Sequence, residues 1–362
     1  MTDPLFVICP EITPGGGGLA DYTLRLLDHW RRRDFVRLIV PEGRAAKSSL
    51  GNEAREVERT ADALLAALPD RGGRVLLQYS AYGFDRFGYP RWLLRALCRW
   101  RERSGGLLVV MFHEIWTFWP VLNKNYLVQQ LHRRELQALL EQADAAFTST
   151  ASQASHLQTL APDTNVEVLP VGTNIRVGGE LAVDRAGDVA VLFGLVQTRC
   201  RTLETMQAEL KALAEARVFS KIITIGAADS GNDLEKEQRL LSGLRLTDGY
   251  DGRGALEESA VSRIMSGAMF GISAQDELSV TKSGTLMAYA AHGLNILSPH
   301  ASCHKSAPLC WFTSPAELLQ TVSRAELVAR SRHLREWQEE TAAWPVIAEK
   351  FARALQFPQL TT

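Results

Sequence analysis

Short apolar runs alternate with longer amphipathic segments along almost the whole chain. In the first half, the runs LFVICP (5–10), RVLLQYS (74–80) and GLLVVMFHE (106–114) have the length of buried strands. Between such runs lie segments like RWLLRALCRWRER and EAREVERTADALLAAL (53–68), whose apolar residues recur every three or four positions, as in a helix. Fully apolar strands separated by helices are typical of parallel sheets covered on both faces. The pattern predicts an α/β protein with doubly wound parallel sheets.

The alternation weakens once and then restarts. RVGGELAVDRAGD (176–188) carries glycines and charges, and the strand-like run VAVLFG (189–194) follows it. We therefore predict an N-terminal Rossmann-like domain over 1–178 and a second one over 188–342. A further helix, WPVIAEKFARALQ, is predicted within 343–362.

Composition limits the classes of partner. Of the 362 residues, 46% are hydrophobic and 22% charged, which suits a globular protein, and the net charge of −1 gives no overall basic field for nucleic acid. No secretion signal or membrane-spanning run is visible, and the five cysteines are scattered, so we expect a cytoplasmic protein. Two basic amphipathic stretches, HWRRRDFVR and RWLLRALCRWRER, could hold one half peripherally on an anionic membrane.

The run PGGGGLADY (14–22) follows the first predicted strand and precedes a helix. In doubly wound sheets, ligands bind at the loops that follow the strands. Backbone at Gly17 and Gly18 would therefore be free to approach a phosphate or a sugar, although a flexible turn without a ligand explains the run as well. The run does not match G-x-G-x-x-G, so no dinucleotide cofactor is predicted.

His113 and Glu114 end the apolar strand GLLVVMFHE. A histidine at a strand end can donate to a sugar hydroxyl or a phosphate, although a structural role is the commoner fate of a single histidine. Trp116 and Trp119 follow closely, and indole rings pack on the C–H faces of sugars. The stretch indicates a candidate sugar site.

Two stretches in the second half could receive a diphosphate. Lys282, Ser283, Gly284 and Thr285 stand where a polar loop enters a helix, a place that suits an anion but that an ordinary N-cap would also explain.

In LFGLVQTRCRTLE (192–204), Arg199 and Arg201 are predicted in the loop after a strand. Their planar guanidinium groups match phosphate oxygens, although surface exposure is the commoner fate of an arginine. HASCHKSAPLC (300–310) has no standard zinc spacing, and no metal site is predicted.

Together, these segments resemble a known family. GGLADYTLRLL, LLQYSAYGFDRFGYPRWL, VVMFHEIW, LPVGTNI, LFG and SGTLMAYAAHGLNILSP look like GT-B glycosyltransferases of the large retaining family 4, in its bacterial branch. The resemblance implies two facing Rossmann-like domains, with a terminal helix that crosses back to the first. It implies transfer of a sugar, with retention and without metal or cofactor, from a nucleotide-diphosphate sugar held mainly by the second domain. The acceptor, a glycan or lipid-linked glycan in surface polysaccharide synthesis, would lie mainly on the first.

The resemblance and the residues themselves together assign roles. His113 would be catalytic by the resemblance, touching the transferred sugar, and Lys282 and Arg199 are predicted to be catalytic from their own positions. Donor-binding residues would be Gly17, Gly18, Glu114, Arg201, Ser283, Gly284 and Thr285.

The chain departs from the family pattern at several positions. Val280 and Ala288 stand where the family has the E-x7-E glutamates, Leu195 stands at a usual arginine, and a usual lysine falls near Cys200. These departures leave two readings open: an active branch with altered donor handling, or a catalytically impaired GT-B-like partner subunit. A nucleotide-sugar epimerase or phosphorylase on the same architecture is a further alternative.

Overall fold

The chain forms two compact units in a computed structural model that describes residues 4–13, 17–30, 35–44, 54–115, 123, 126–178, 185–228, 231–320 and 322–357. Unit 1 comprises Met1–Pro170 and Trp344–Thr362, and unit 2 comprises Val171–Ala343.

Unit 1 is built on a seven-stranded parallel sheet with helices between its strands. The strand order is β3-β2-β1-β4-β5-β6-β7. Its strands are β1 (Leu5–Ile8), β2 (Val36–Pro41), β3 (Arg55–Val57), β4 (Arg74–Ser80), β5 (Leu107–Glu114), β6 (Ala145–Thr148) and β7 (Val166–Val168). Its helices are α1 (Gly18–Asp28), α2 (Ala61–Leu65), α3 (Ala81–Phe84), α4 (Arg91–Ser104), α5 (Tyr126–Gln142), α6 (Ala151–Leu160) and, at the end of the chain, α14 (Trp344–Ala354).

The predicted helix over 53–68 is wrong. Its first part is strand β3, which pairs with β2 through Ile39 and Arg55, and only its second part is the short helix α2. Thr60 separates the two, because its extended backbone and its hydroxyl, which accepts from the Ala63 N–H at 3.2 Å, form an N-cap. Tertiary pairing of the sheet edge thus overrides the local helical pattern.

Unit 2 repeats the arrangement with five parallel strands in the order β10-β9-β8-β11-β12. The strands are β8 (Ala186–Phe193), β9 (Lys221–Ile225), β10 (Tyr250–Gly252), β11 (Ala268–Ile272) and β12 (Asn295–Leu297). The helices are α7 (Val196–Thr205), α8 (Gln207–Glu215), α9 (Gly231–Ser242), α10 (Glu258–Gly267), α11 (Gly284–Ala291), α12 (Pro315–Gln320) and α13 (Arg324–Thr341). Two buried apolar clusters line the sheet. The parallel strands that alternate with helices in both units confirm the predicted α/β class.

The division between the units falls after Pro170, before the predicted boundary at 178. The Val171 N–H donates to the Thr281 carbonyl at 2.9 Å, Ile175 is buried in the unit 2 core, and the Gly178 N–H donates to Ser262 Oγ at 3.0 Å. These contacts tie residues 171–178 to unit 2. Within the predicted linker over 176–188, residues 179–184 lie outside the described residues.

The last helix returns to unit 1, as predicted. On α14, Phe351 packs edge-on against Phe147 of β6, with ring centroids 5.1 Å apart. Arg74 Nε donates to the Leu355 carbonyl at 2.8 Å, just beyond the helix. The end of the chain therefore covers one face of the first sheet.

Candidate functional site

Each sheet has one point at which the chain reverses its direction of winding. In unit 1 this point lies between β1 and β4, and in unit 2 between β8 and β11. Neighbouring loops leave such a point in opposite directions, and the crevice that results is where doubly wound sheets bind ligands. Most of the residues predicted from the sequence follow these strands.

In unit 1, the glycine run leads from β1 into α1, and residues 14–16 of it lie outside the described residues. Gly17 is the N-cap of α1 with φ +142°, a backbone conformation that side-chain-bearing residues rarely adopt. A Cβ added at Gly18 would meet no described atom within 4 Å. Gly17 is therefore required by its backbone conformation, whereas no packing contact explains glycine at Gly18.

His113 lies at the end of β5 and is 8% exposed. Its Nε2 is 2.7 Å from Gln78 Oε1 on β4, and its ring meets the edge of Tyr22 of α1 at 4.7 Å. With the amide oxygen facing the ring, the imidazole donates from Nε2. Trp344, the first residue of α14, also packs against Tyr22, with ring centroids 5.0 Å apart. A chain of aromatic contacts therefore positions His113.

Glu114 is the next residue and is exposed. The pairing of β4 and β5 shifts register after Tyr79, so that Ser80 stands opposite Glu114, and Ser80 Oγ donates to Glu114 Oε2 at 3.1 Å. The carboxylate therefore lies at the carboxyl edge of the first sheet, adjacent to His113. Trp116 and Trp119 lie outside the described residues, as do positions 31–34 of the stretch HWRRRDFVR.

In unit 2, the segment at Ser283–Thr285 opens helix α11. Ser283 is the N-cap, and its Oγ accepts from the Leu286 N–H at 3.2 Å. A Cβ at Gly284 would lie 3.7 Å from Asn174 Oδ1, and a Cβ at Gly194, which follows β8, would lie 3.5 Å from Thr285 Oγ1. The helix start, the turn after β8 and the segment around Asn174 therefore meet at the switch point, although no sequence pattern had linked the three.

Arg199 does not take the predicted place. The helix α7 already begins at Val196, and Arg199 on it is 2% exposed. Its Nε and Nη2 donate to the two carboxylate oxygens of Glu237 at 2.6 and 2.9 Å, and its Nη1 donates to the Gly194 carbonyl. The prediction that this guanidinium faces a ligand is therefore wrong, because a buried carboxylate already binds it. Arg199 instead holds the turn after β8.

Two glycines make that turn compact. Gly194 and Gly226, which follow β8 and β9, have φ +134° and +132°. A Cβ at Gly226 would collide with the Gly194 carbonyl oxygen. Tyr289 of α11 supports the same turn, because its hydroxyl accepts from the Phe193 N–H at 2.7 Å. Burial raises the pKa of Tyr289, so it stays neutral at ordinary pH.

The remaining predicted cations lie in different settings. Arg201 is exposed, and on α7 it lies about 200° around the helix axis from Arg199, so the two cannot serve one phosphate together. Lys282 ends a short 3-10 turn directly before Ser283 and is half-buried. Of the predicted cations, Lys282 is the nearest in sequence to the start of α11.

The two positions at which the resembled family has glutamates lie in the apolar core of unit 2. Val280 is 2% exposed and Ala288 is fully buried, and both belong to one apolar cluster with Tyr289 and Ile296. Across the described ranges, no three His, Cys, Asp or Glu side chains are grouped so that they could hold a metal ion. Within those same ranges, no helix has both the length and the apolar character to cross a bilayer.

Comparison with known proteins shows the fold. No protein-family model matches the chain, and no curated protein matches it by sequence. Among solved structures, HepE of Anabaena, in complex with UDP and glucose, matches at TM-score 0.63 and 10% identity over 99% of this chain and 100% of its own.

Two other solved structures match over a similar extent. Sucrose-phosphate synthase of Thermosynechococcus elongatus matches at TM-score 0.62 and 13% identity, over 98% of each chain. The N-terminal domain of Candida albicans trehalose-6-phosphate phosphatase matches at TM-score 0.64 and 11% identity, over 98% of this chain and 97% of its own. The chain has the GT-B fold, as its sequence motifs predicted.

Proposed function

We propose that this GT-B chain transfers a sugar from a nucleotide-diphosphate sugar to a glycan or lipid-linked acceptor, with retention of anomeric configuration. One observation carries the proposal. At the switch point of unit 2, the start of α11, the Gly194 turn and Asn174 come together. Nucleotide binding at such a place is the general behaviour of doubly wound sheets.

The start of α11 suits a diphosphate. The first N–H groups of a helix point outward and carry about half a positive charge between them. Gly284 adds no side chain there, and Thr285 adds a hydroxyl close to the Gly194 turn. Lys282 supplies a full positive charge directly before the helix. Together these groups would stabilise the negative charge that develops on the leaving diphosphate, the part that a metal ion plays in other transferases.

Solved structures with this fold support the nucleotide-sugar donor. The HepE structure contains UDP and glucose, and a pneumococcal O-GlcNAc transferase that covers 81% of this chain is in complex with UDP and GlcNAc. In the proposed reaction the bond between the anomeric carbon and the diphosphate oxygen breaks, and an acceptor oxygen forms the new bond on the same face. The proton of the acceptor hydroxyl passes to the departing diphosphate oxygen. His113 would contact the transferred sugar, with Glu114, Gly17 and Gly18 at the same edge of the first sheet.

A peripheral contact with anionic membrane belongs to the same proposal. Helices α4 and α5 pack side by side and together carry seven arginines against three glutamates. Leu127 and Leu131, one helical turn apart on α5, are 71% and 52% exposed. Exposed leucines on a helix pair with a surplus of arginine favour the surface of an anionic bilayer, where a lipid-linked acceptor would lie.

The second candidate is a catalytically impaired subunit with the same fold. The apolar burial of Val280 and Ala288 favours it, because neither position offers a carboxylate to a nucleotide. An impaired subunit would bind nucleotides weakly and release none from sugar nucleotides. An epimerase or phosphorylase would instead yield an altered sugar still on its nucleotide, or a sugar phosphate, which mass spectrometry distinguishes from a transferred sugar.

The test is nucleotide release from UDP-, GDP-, ADP- and dTDP-sugars. We expect one of them to be turned over, and Lys282→Ala to lower turnover at least tenfold, which corresponds to about 1.4 kcal/mol of lost transition-state stabilisation. Lys211→Ala is the matched control, because Lys211 lies on α8 and pairs with the exposed Glu215. Equal rates in both variants would remove Lys282 from the mechanism, and no turnover of any donor would favour the impaired subunit.

A further inference from the structure

Two buried polar groups beside His113 have no hydrogen-bond partner among the residues that the structure describes. They are the Tyr22 hydroxyl and the Gln78 amide nitrogen. Tyr22 is 5% exposed and Gln78 is fully buried. Nearly all buried polar groups in folded proteins are paired, because an unpaired one destabilises the fold. Nine other described side-chain atoms are also buried without a partner. These two matter here because their side chains both contact one candidate functional residue.

Both side chains contact the same imidazole. Gln78 is in register with Met111, two residues before His113 on β5, so Gln78 and His113 lie on one face of the sheet. The Gln78 oxygen is bonded to His113 Nε2, which leaves the amide nitrogen unpaired, and Tyr22 contacts the same ring from α1. Glu114, the residue after His113, is exposed. The cluster therefore lies directly below the carboxyl edge of the sheet.

The neighbouring tyrosine shows that the fold can pair such a group. Tyr79 follows Gln78 on β4 and points to the opposite face, where its hydroxyl lies 2.6 Å from His132 Nε2. Tyr79 is as deeply buried as Gln78, yet its polar atom is paired. Burial alone therefore does not account for the unpaired hydroxyl of Tyr22.

The chemistry of the two groups indicates their ligand. The Gln78 amide nitrogen donates hydrogen bonds, and the Tyr22 hydroxyl donates and accepts. Burial raises the pKa of Tyr22, which keeps this hydroxyl protonated and neutral. A ligand hydroxyl can accept from the amide nitrogen and donate to the tyrosine oxygen, so it can pair with both groups. Unlike a phosphate oxygen, it brings no negative charge that would be costly to bury beside these neutral groups.

We propose that Tyr22 and Gln78 bind a hydroxyl of the transferred sugar beside His113. The inference rests on the proposed function, because it assigns the sugar-recognising groups of the same reaction. Gln78 also positions His113, because its oxygen fixes the ring so that Nε2 is the donor. Tyr22 ends the run PGGGGLADY and Gln78 lies within the strand RVLLQYS, but neither stretch by itself assigns these two side chains to a ligand.

The experiment uses Tyr22→Phe, which removes only the hydroxyl. The first measurement is slow hydrolysis of the sugar nucleotide that the wild type turns over. Loss of one hydrogen bond to the sugar should lower kcat/KM about threefold to tenfold. Affinity for the same nucleotide without its sugar should be unchanged, and the urea midpoint of unfolding should stay equal or rise.

Tyr79→Phe is the matched control. It removes a paired hydroxyl on the opposite face of the same sheet, so it should lower the urea midpoint and leave hydrolysis unchanged. Hydrolysis that is equally fast in Tyr22→Phe and wild type overturns the inference, and so does a lower urea midpoint in Tyr22→Phe, which would mean that the hydroxyl is paired within the fold. Failure of the wild type to bind any bare nucleotide would contradict the proposed function instead.

Discussion

Arg199 and Glu237 form a two-bond ion pair in the interior of unit 2, with Nε–Oε1 and Nη2–Oε2 distances of 2.6 and 2.9 Å. Both side chains are deeply buried, at 2% and 4% exposure. The same guanidinium holds the Gly194 carbonyl, and it lies 3.4 Å from the Ile225 carbonyl. The pair therefore links helix α9 to the two turns that follow β8 and β9, where we place the nucleotide.

We expect Glu237→Ala to destabilise unit 2 strongly. It leaves a buried guanidinium without its counter-charge, a change that typically costs about 3–5 kcal/mol. The measurement is urea unfolding followed by circular dichroism. Glu204→Ala, which removes the partner of the exposed Lys236, is the control and should hardly change the midpoint. Equal midpoints in the two variants would show that the buried pair does not stabilise this unit.

A second prediction concerns pH. Burial lowers the pKa of His132 to about 4, and its neutral ring is bonded to Tyr79. In the unfolded chain the pKa returns to about 6.5, so the unfolded state binds more protons between these values. The stability that neutral His132 contributes is therefore fully present above a pH of about 6.5 and is lost as pH falls toward about 4. The loss is on the order of 3 kcal/mol.

Urea midpoints measured between about pH 7.5 and about pH 4 cover the range in which this loss occurs. His132→Gln should flatten the decline, because glutamine does not titrate. Burial also lowers the pKa of His292, which adds a loss of the same sign in unit 2. If the urea midpoint of His132→Gln declines with falling pH as steeply as that of the wild type, His132 is excluded as a source of acid sensitivity.

The sequence predicted the elements best where one local pattern sufficed. The run at 74–80 coincides with β4, because a central strand is buried on both faces and is therefore mostly apolar. The prediction from the sequence failed for Arg199, which was expected in a loop. Arg199 instead lies on α7, in a buried stripe with Val196, Cys200 and Leu203. That spacing was a signal for burial, but the partner Glu237 lies 38 residues further along the chain, and no local pattern indicates it. Long-range pairing was the missing information.

The glycine loop of unit 1 offers a matched pair of substitutions. Gly17→Ala forces a side chain into φ +142° and should cost about 1–3 kcal/mol of stability. Gly18→Ala meets no described atom within 4 Å and should leave stability unchanged or slightly higher. If the backbone of this loop approaches a substrate, Gly18→Ala should still lower turnover. Unchanged turnover in that variant would leave Gly18 without a role in binding.

Membrane contact is tested with vesicles. The wild type should sediment with vesicles that contain phosphatidylglycerol and not with pure phosphatidylcholine, and added salt should weaken the binding. The double variant Leu127→Asp/Leu131→Asp should abolish it. Leu319→Asp, at a 45% exposed leucine on α12 of unit 2, is the control. Binding that survives the double variant would locate the membrane contact elsewhere.

Nucleotide binding at the start of α11 is tested by a calorimetric titration of the full chain with UDP, GDP, ADP and dTDP, repeated on Gly284→Glu. The backbone accepts a Cβ there, because the nearest described atom would lie 3.7 Å from it, and the glutamate charge favours the helix start. The same charge repels a diphosphate. We predict that one nucleotide binds the wild type in a one-to-one complex and that the substitution abolishes binding without lowering the urea midpoint. Absence of binding by all four nucleotides, or equal binding by the variant, would contradict a diphosphate site at this helix.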